Sequence, residues 1–163
     1  MFGDIHDKET QYTYFKEWVR GEMRRSERYH RPFSIVALEI GSSKTQGDTE
    51  DIISEDIIFK IMVKLLRYKQ RASDFVARFG TSGFIMILPE TDKKGASTFT
   101  ERIKVHLKDF LLDEEGFGDK DIVISKGIAT FPEDGMTNDE LYKVVNEALN
   151  ESKKKVRGDP NTR

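Results

Sequence analysis

The chain has no cysteine, so disulfides and thiolate chemistry are excluded. The lack of cysteine is compatible with a reducing cytoplasm, where we expect the protein to act. An excess of charge of one sign is also missing, because 27 Lys and Arg residues stand against 29 Asp and Glu residues. Without a basic footprint, DNA and RNA are not expected partners.

Long hydrophobic runs are absent too. No stretch approaches the roughly 20 apolar residues of a membrane-spanning helix, and the first residues lack the basic and apolar regions of a signal peptide. We therefore expect a soluble protein without a membrane partner. The 163 residues suffice for one domain with a substantial core.

Four segments have the three- and four-residue hydrophobic spacing of amphipathic helices: residues 12–29, 52–68, 93–111 and 138–155. Four others, rich in β-branched and aromatic residues, are predicted strands: residues 33–40, 74–79, 84–88 and 122–131. Gly80 to Gly83 form a turn between the second and third strands, which we expect to make a hairpin in the middle of the sheet. Thr137 or Asn138 is the expected N-cap of the last helix.

The hairpin region resembles the GGDEF family, the diguanylate cyclases. Arg71-Ala72-Ser73-Asp74 matches R-x-x-D, Arg78-Phe79-Gly80 and Phe84 match the frame of the hairpin tip, and the third strand ends in Leu88-Pro89. The resemblance implies an α/β (α+β) fold with the βαββαβ core of nucleotide cyclases and polymerase palms, in which helices flank a mainly antiparallel sheet. The degenerate GGDEF domain would comprise residues 12–157, between an N-terminal segment, residues 1–11, and a C-terminal tail, residues 158–163.

The tip of the hairpin departs from the family pattern. Gly80-Thr81-Ser82-Gly83-Phe84 stands where the family has Gly-Gly-Asp/Glu-Glu-Phe. The two positions that ligate metal in the family correspond to Glu39 and Gly83, and glycine offers no ligand. The resemblance therefore implies a domain without cyclase activity and without a cofactor, Mg²⁺ included.

Other residues match nucleotide-contacting positions of the family. Asp56, Lys153 and Arg157, with Glu39, are candidates for a vestigial nucleotide or metal site. Asp56, Lys153 and Arg157 also have a structural interpretation, because an acidic residue in the first turn of a helix, or a basic residue in the last turn, complements the helix dipole.

The resemblance also implies a binding site for cyclic di-GMP. Arg71 and Asp74 of R-x-x-D, with Arg102 on the following helix, match the site at which the family binds its inhibitory product. A guanidinium donates two parallel hydrogen bonds to guanine O6 and N7 or to phosphate, and a carboxylate accepts from the N–H groups of guanine. Alternatively, Arg71 and Asp74 form a local ion pair of little net stability.

Three functions are compatible with this pattern. The first is a non-catalytic receptor that binds cyclic di-GMP and signals to a partner protein whose identity is unknown, with homodimer formation on binding. The second is a ligand-independent interaction or dimerisation module, and the third is a GTP-binding domain or a residual cyclase.

Overall fold

The computed structural model describes residues 8–42, 54–68, 74–113, 116–118 and 122–156. In chain order these residues form α1 (Lys8–Tyr29), β1 (Phe33–Ser42), α2 (Glu55–Tyr68), β2 (Phe75–Phe79), β3 (Gly83–Leu88), α3 (Lys93–Asp113), β4 (Ile122–Phe131) and α4 (Asn138–Val156). The predicted fold is confirmed, since four helices flank a four-stranded antiparallel sheet in the order helix, βαββαβ, helix.

Most element boundaries agree with the expectations from periodicity. The fourth strand has the predicted limits, and the backbone N–H of Glu140 donates to Thr137 Oγ1 at 3.1 Å, which identifies Thr137 as the N-cap of α4. The first helix begins at Lys8 instead of residue 12. Its first four residues, Lys-Glu-Thr-Gln, are polar and do not extend the apolar stripe, but none of them breaks a helix.

The sheet has the strand order β2-β3-β1-β4, with every neighbouring pair antiparallel. The prediction that the hairpin lies mid-sheet was therefore wrong for one of its strands, because β3 is internal and β2 is an edge strand. The burial of the two strands agrees with their internal and edge positions in the sheet. Every residue of β3 is buried, whereas only Ala77 is buried in β2. A strand packed on both faces has a continuous apolar run, as β3 does.

Each face of the sheet is covered by two helices. Alternate β1 residues Val36, Leu38 and Ile40 contribute to a core with α2 and α3. On the opposite face, Phe33, Ile35 and Ala37 form a second core with α1 and α4. The three-layer arrangement leaves the two ends of the sheet, where strands meet loops, as the accessible places for polar side chains. In the part of the chain that the structure describes, no helix combines the length and apolar character needed to cross a membrane.

Candidate functional site

A cavity of about 660 Å³, here called the α3 cavity, opens where β1 and β2 begin and β3 ends. Its wall comes from the start of α3 and from the loops at this end of the sheet. It is lined by Pro32, Asp74, Leu88, Glu90, Thr91, Asp92, Lys94, Gly95, Thr98, Phe99 and Arg102. The size is typical of sites that hold a small organic ligand, which are roughly 300–1,000 Å³.

Asp74 and Arg102, two of the three residues predicted to bind cyclic di-GMP, line this one cavity. Asp74 immediately precedes β2 and is only 5% exposed, while the guanidinium of Arg102 comes from the exposed side of α3. Arg71, the third predicted residue, lies three positions before Asp74 and outside the described residues. The arrangement puts a carboxylate acceptor and a forked cationic donor on the same wall.

Acidic residues of the α3 cavity wall act on a buried carboxyl group of α1. Glu22 of α1 is 6% exposed, and burial raises the pKa of its carboxyl group above the ordinary value of 4.5. The nearby Arg25 guanidinium opposes this rise, whereas the negative charges of Glu90 and Asp74 add to it. Glu90 Oε2 lies 3.3 Å from Arg31 Nη1, so basic groups from the end of α1 partly balance the acidic ones.

Sequence reasoning missed most of the α3 cavity wall. Gly95, Thr98 and Phe99 line it together with Arg102. Their positions relative to Gly95 are i, i+3, i+4 and i+7, which lie on one face of a helix. Once Arg102 was a candidate, this spacing could have found the other three. Glu90, Asp92 and Lys94 belong to the connection before α3 and its first turn, where no periodic signal exists.

The opposite end of the sheet carries the hairpin tip. Glu39 of β1 lies directly opposite Gly83 of β3, so the two positions matched to the family's metal ligands are neighbours. A Cβ atom on Gly83 would lie 2.5 Å from the Phe79 carbonyl oxygen and 2.9 Å from that of Leu38. The backbone at this position therefore has no room for a side chain unless the turn moves.

Hydrogen bonds hold the turn in this conformation. The backbone N–H of Ile40 donates to the Ser82 carbonyl at 3.0 Å, which continues β1 pairing into the tip. Arg78 Nη2 donates to the Thr81 carbonyl at 3.0 Å, and Arg78 Nη1 donates to Glu55 Oε2 at 2.9 Å. Arg78 thus joins the tip to the start of α2.

Lys153 and Glu39 are brought together from distant parts of the chain. The Lys153 ammonium group donates directly to Glu39 Oε2, and both side chains are 31% exposed. We call Glu39, Gly83 and Lys153 the tip site. Asp56 is not part of the tip site. It lies in the first turn of α2 and forms an ion pair with Lys60, in which its Oδ2 is 3.5 Å from Lys60 Nζ. Arg157 lies outside the described residues.

The tip site does not fit a divalent cation. Mg²⁺ in sites of this class is held by carboxylates that also bridge to phosphate oxygens. Here the Glu39 carboxylate accepts from Lys153, and the facing position has neither a carboxylate nor space for one. Among the described residues, no group of three His, Asp or Glu side chains is arranged to hold a metal ion.

A match to one protein family extends over almost the whole chain. The family described as "Diguanylate cyclase, GGDEF domain" matches residues 7–159. Among curated proteins, the probable diguanylate cyclase DgcT of Escherichia coli is 25% identical over 123 residues, which cover 75% of this chain and 27% of the relative. Diguanylate cyclase A of Treponema denticola is 28% identical over 126 residues, covering 76% of this chain and 33% of the relative. The match thus spans no more than about a third of either relative.

Solved structures agree with the architecture. The GGDEF domain of DgcB from Caulobacter crescentus, crystallised in complex with c-di-GMP, superposes with a TM-score of 0.66. The superposition covers 86% of this chain and 80% of the DgcB chain at 22% sequence identity. At this identity the likeness establishes the fold.

Proposed function

The chain belongs to the GGDEF family, and from that premise we propose that it is a catalytically inactive member that binds cyclic di-GMP in the α3 cavity and acts as a receptor. The observation that carries the proposal is the convergence of Asp74 and Arg102 on one open cavity. The two residues are separated in sequence by β2, β3 and the start of α3, so their meeting is a property of the fold.

The chemistry of the α3 cavity suits this ligand. Arg102 offers two parallel N–H donors to guanine O6 and N7 or to a phosphate, and the Asp74 carboxylate accepts from the guanine N1–H and amino group. Lys94 adds a second cation to a wall that also carries Glu90 and Asp92, so the two phosphates of the ligand are assigned to the side of Lys94 and Arg102. Arg71, three residues before Asp74, is assigned a further phosphate or guanine contact. The complex of DgcB with c-di-GMP supports the choice of ligand.

Loss of cyclase activity follows from the tip site. Condensation of two GTP molecules needs divalent metal to neutralise the developing charge on the triphosphate. The family position for the second carboxylate is Gly83, and the first carboxylate, on Glu39, is held by Lys153. We therefore assign no catalytic residue to this chain.

Calorimetric titration with cyclic di-GMP tests the receptor function. We expect micromolar or tighter binding by the wild type, and a loss of about tenfold to a hundredfold for Arg102→Ala or Asp74→Asn, because a charge-assisted hydrogen bond contributes roughly 1.5–3 kcal/mol. Arg71→Ala is expected to weaken binding as well. Lys104→Ala is the matched control, since Lys104 is on the same helix but does not line the α3 cavity.

Two results would overturn the receptor proposal. One is the absence of heat when cyclic di-GMP is added to folded wild-type protein. The other is an unchanged affinity in both Arg102→Ala and Asp74→Asn, with circular dichroism showing that these variants are folded. Separately, formation of cyclic di-GMP from GTP and Mg²⁺ by the wild type, above a Glu39→Ala control, would contradict the assignment as inactive.

A second candidate function, dimerisation without ligand, is favoured by an apolar stripe on the outer side of α2. Phe59 is 66% exposed and Leu66 44%, with half-buried Val63 between them at positions i, i+4 and i+7. The first turn of α2 contains Glu55 and Asp56, and the last turn contains Arg67. Two copies of α2 packed antiparallel about a two-fold axis place the acidic turn of one beside the basic turn of the other.

Sedimentation velocity distinguishes this candidate. If α2 forms the interface, wild-type protein dimerises without cyclic di-GMP and Phe59→Glu restores the monomer, because a buried unpaired carboxylate is costly. Val105→Glu is the control, since Val105 is 59% exposed but lies on α3. A wild-type monomer throughout the micromolar range, or equal effects of the two substitutions, would count against an α2 dimer.

A further inference from the structure

We propose that the Lys153 ammonium group is the resident cation of the tip site, where it neutralises Glu39 in place of a divalent metal and closes the site to metal and to triphosphate. The tip site lies at the end of the sheet opposite the α3 cavity. Phe33 and Glu39 are six residues apart on β1, which corresponds to roughly 20 Å along a strand. The proposed role of Lys153 at the tip site is therefore independent of cyclic di-GMP binding in the α3 cavity.

The position of Lys153 follows from close packing of α4 on β4. A Cβ atom on Gly127 would lie 2.3 Å from the Val145 carbonyl oxygen and 2.8 Å from the Leu149 nitrogen, so only glycine allows the helix to approach this closely. One residue before Gly127, the backbone N–H of Lys126 donates to Ser152 Oγ at 3.1 Å. These contacts fix the last turns of α4 relative to the sheet.

Lys153 directly follows Ser152, so the same contacts place its side chain at the tip site. Glu39 is the β1 residue opposite Ser125 on β4, and it is therefore close to the strand on which α4 packs. The ammonium group reaches the Glu39 carboxylate from this side. The pair is thus set by the packing of a helix on a sheet, unlike ion pairs between neighbouring residues of one helix.

Gly83 completes the replacement of a divalent metal by the Lys153 ammonium group, because it supplies no second carboxylate. In a site for two carboxylates, the second anion would balance the charge of a divalent cation. Here Gly83 contributes none, and the single charge of Glu39 is matched by the single charge of Lys153. A triphosphate would have to displace Glu39 from Lys153, so the third hypothesis, GTP binding through Glu39, Asp56, Lys153 and Arg157, is disfavoured at this site.

Amide NMR spectra with Mn²⁺ test the replacement at residue level, because a bound paramagnetic ion broadens nearby resonances. We expect no selective broadening of the Gly83 and Ser125 amides in the wild type. In Lys153→Met, the released Glu39 carboxylate attracts the ion and these two amides broaden first. Adding Glu39→Gln to Lys153→Met removes the effect.

Lys154→Met is the matched control, because Lys154 is the next residue on α4 and its Nζ lies 3.8 Å from Glu151 Oε1 on the same helix. It is expected to behave as the wild type. If Lys153→Met does not give a folded spectrum, Lys153→Gln, which keeps a polar side chain without the charge, is used for the same comparison.

Three outcomes overturn the proposal. They are selective broadening of Gly83 and Ser125 in the wild type, no selective broadening when the Lys153 charge is removed from folded protein, and GTP-induced shifts of these amides in the wild type with Mg²⁺. A parallel titration with cyclic di-GMP reports on the amides around Asp74 and Arg102 instead. Failure of one proposal is therefore distinguishable from failure of the other.

Discussion

Ser34 and Glu22 are both buried polar residues, yet their environments differ in what they contribute to stability. Ser34 Oγ donates to the Thr91 carbonyl at 2.9 Å and lies 2.8 Å from Thr130 Oγ1, so its hydroxyl is satisfied between β1 and β4. Glu22 contacts Arg25 at 3.5 Å, and Arg25 is largely exposed to solvent. Burial of the Glu22 carboxylate is therefore only partly compensated.

The Glu22 carboxyl group is predicted to lower stability as pH rises. Because burial raises its pKa in the folded protein above 4.5, the folded state binds more protons than the unfolded state between 4.5 and the raised pKa. The contribution of Glu22 to the free energy of unfolding therefore falls as pH rises through that window. We expect Glu22→Gln to gain stability relative to the wild type as pH increases, measured by urea unfolding between acidic and neutral pH.

Glu17→Gln provides the control for this titration. Glu17 and Arg20 form an i,i+3 pair on the same helix at 3.0 Å, but both side chains are exposed. Glu17→Gln reports the effect of removing an exposed carboxylate from the same helix. A pH-independent difference for Glu22→Gln would contradict the assigned role of burial.

At the scale of elements, the end of α1 combines a favourable hydrogen-bond pattern with an unfavourable residue. The backbone N–H of Arg31 donates to the Ser26 carbonyl at 3.2 Å, which is the six-to-one bond of a Schellman motif. The intervening His30 has φ of 54°, in the left-handed region where a β-carbon is strained. Glycine is the residue that helix ends of this kind prefer.

Replacement of His30 by glycine should stabilise the protein. We expect His30→Gly to raise the free energy of unfolding by about 1 kcal/mol, since the left-handed conformation costs other residues roughly 1–2 kcal/mol and glycine loses part of that gain in backbone entropy. Chemical denaturation measures the change. Tyr29→Gly, one residue earlier and within the helix, should destabilise, and stabilisation by both substitutions would argue against the cap.

At the scale of the whole molecule, β1 joins the two hydrophobic cores. Its residues alternate between the core formed with α2 and α3 and the core formed with α1 and α4. Detachment of β1 would remove sheet residues from both cores at once, so the stability of each face depends on the other. The α3 cavity and the tip site lie at the two ends of this shared sheet.

We predict that both faces unfold in one transition. Trp18 is the single tryptophan, and its ring centroid lies 5.1 Å from that of Phe75, so its fluorescence reports on the packing of α1 against β2. Far-ultraviolet circular dichroism reports on all four helices. The two denaturation curves should coincide, whereas separate midpoints would mean that α1 separates from β2 independently of the rest of the fold.

Local patterns predicted most of the elements because their causes are local. The limits of β4 and the N-cap at Thr137 follow from short-range alternation and capping chemistry. The edge position of β2 was not predicted, since strand order depends on contacts between distant segments. Of the proposed cyclic di-GMP residues, Asp74 and Arg102 lie at one cavity, whereas the part assigned to Arg71 stays a prediction.

The sequence by itself determined the helices and strands, the resemblance to the GGDEF family, and the lack of a carboxylate at Gly83, because each is read from neighbouring residues. Only the tertiary structure decided that Lys153 neutralises Glu39 and that burial raises the pKa of Glu22. Sequence alone assigned Lys153 either to phosphate contact or to a solvated helix end. The ion pair joins residues more than a hundred positions apart, and it exists because α4 packs against β4 at Gly127.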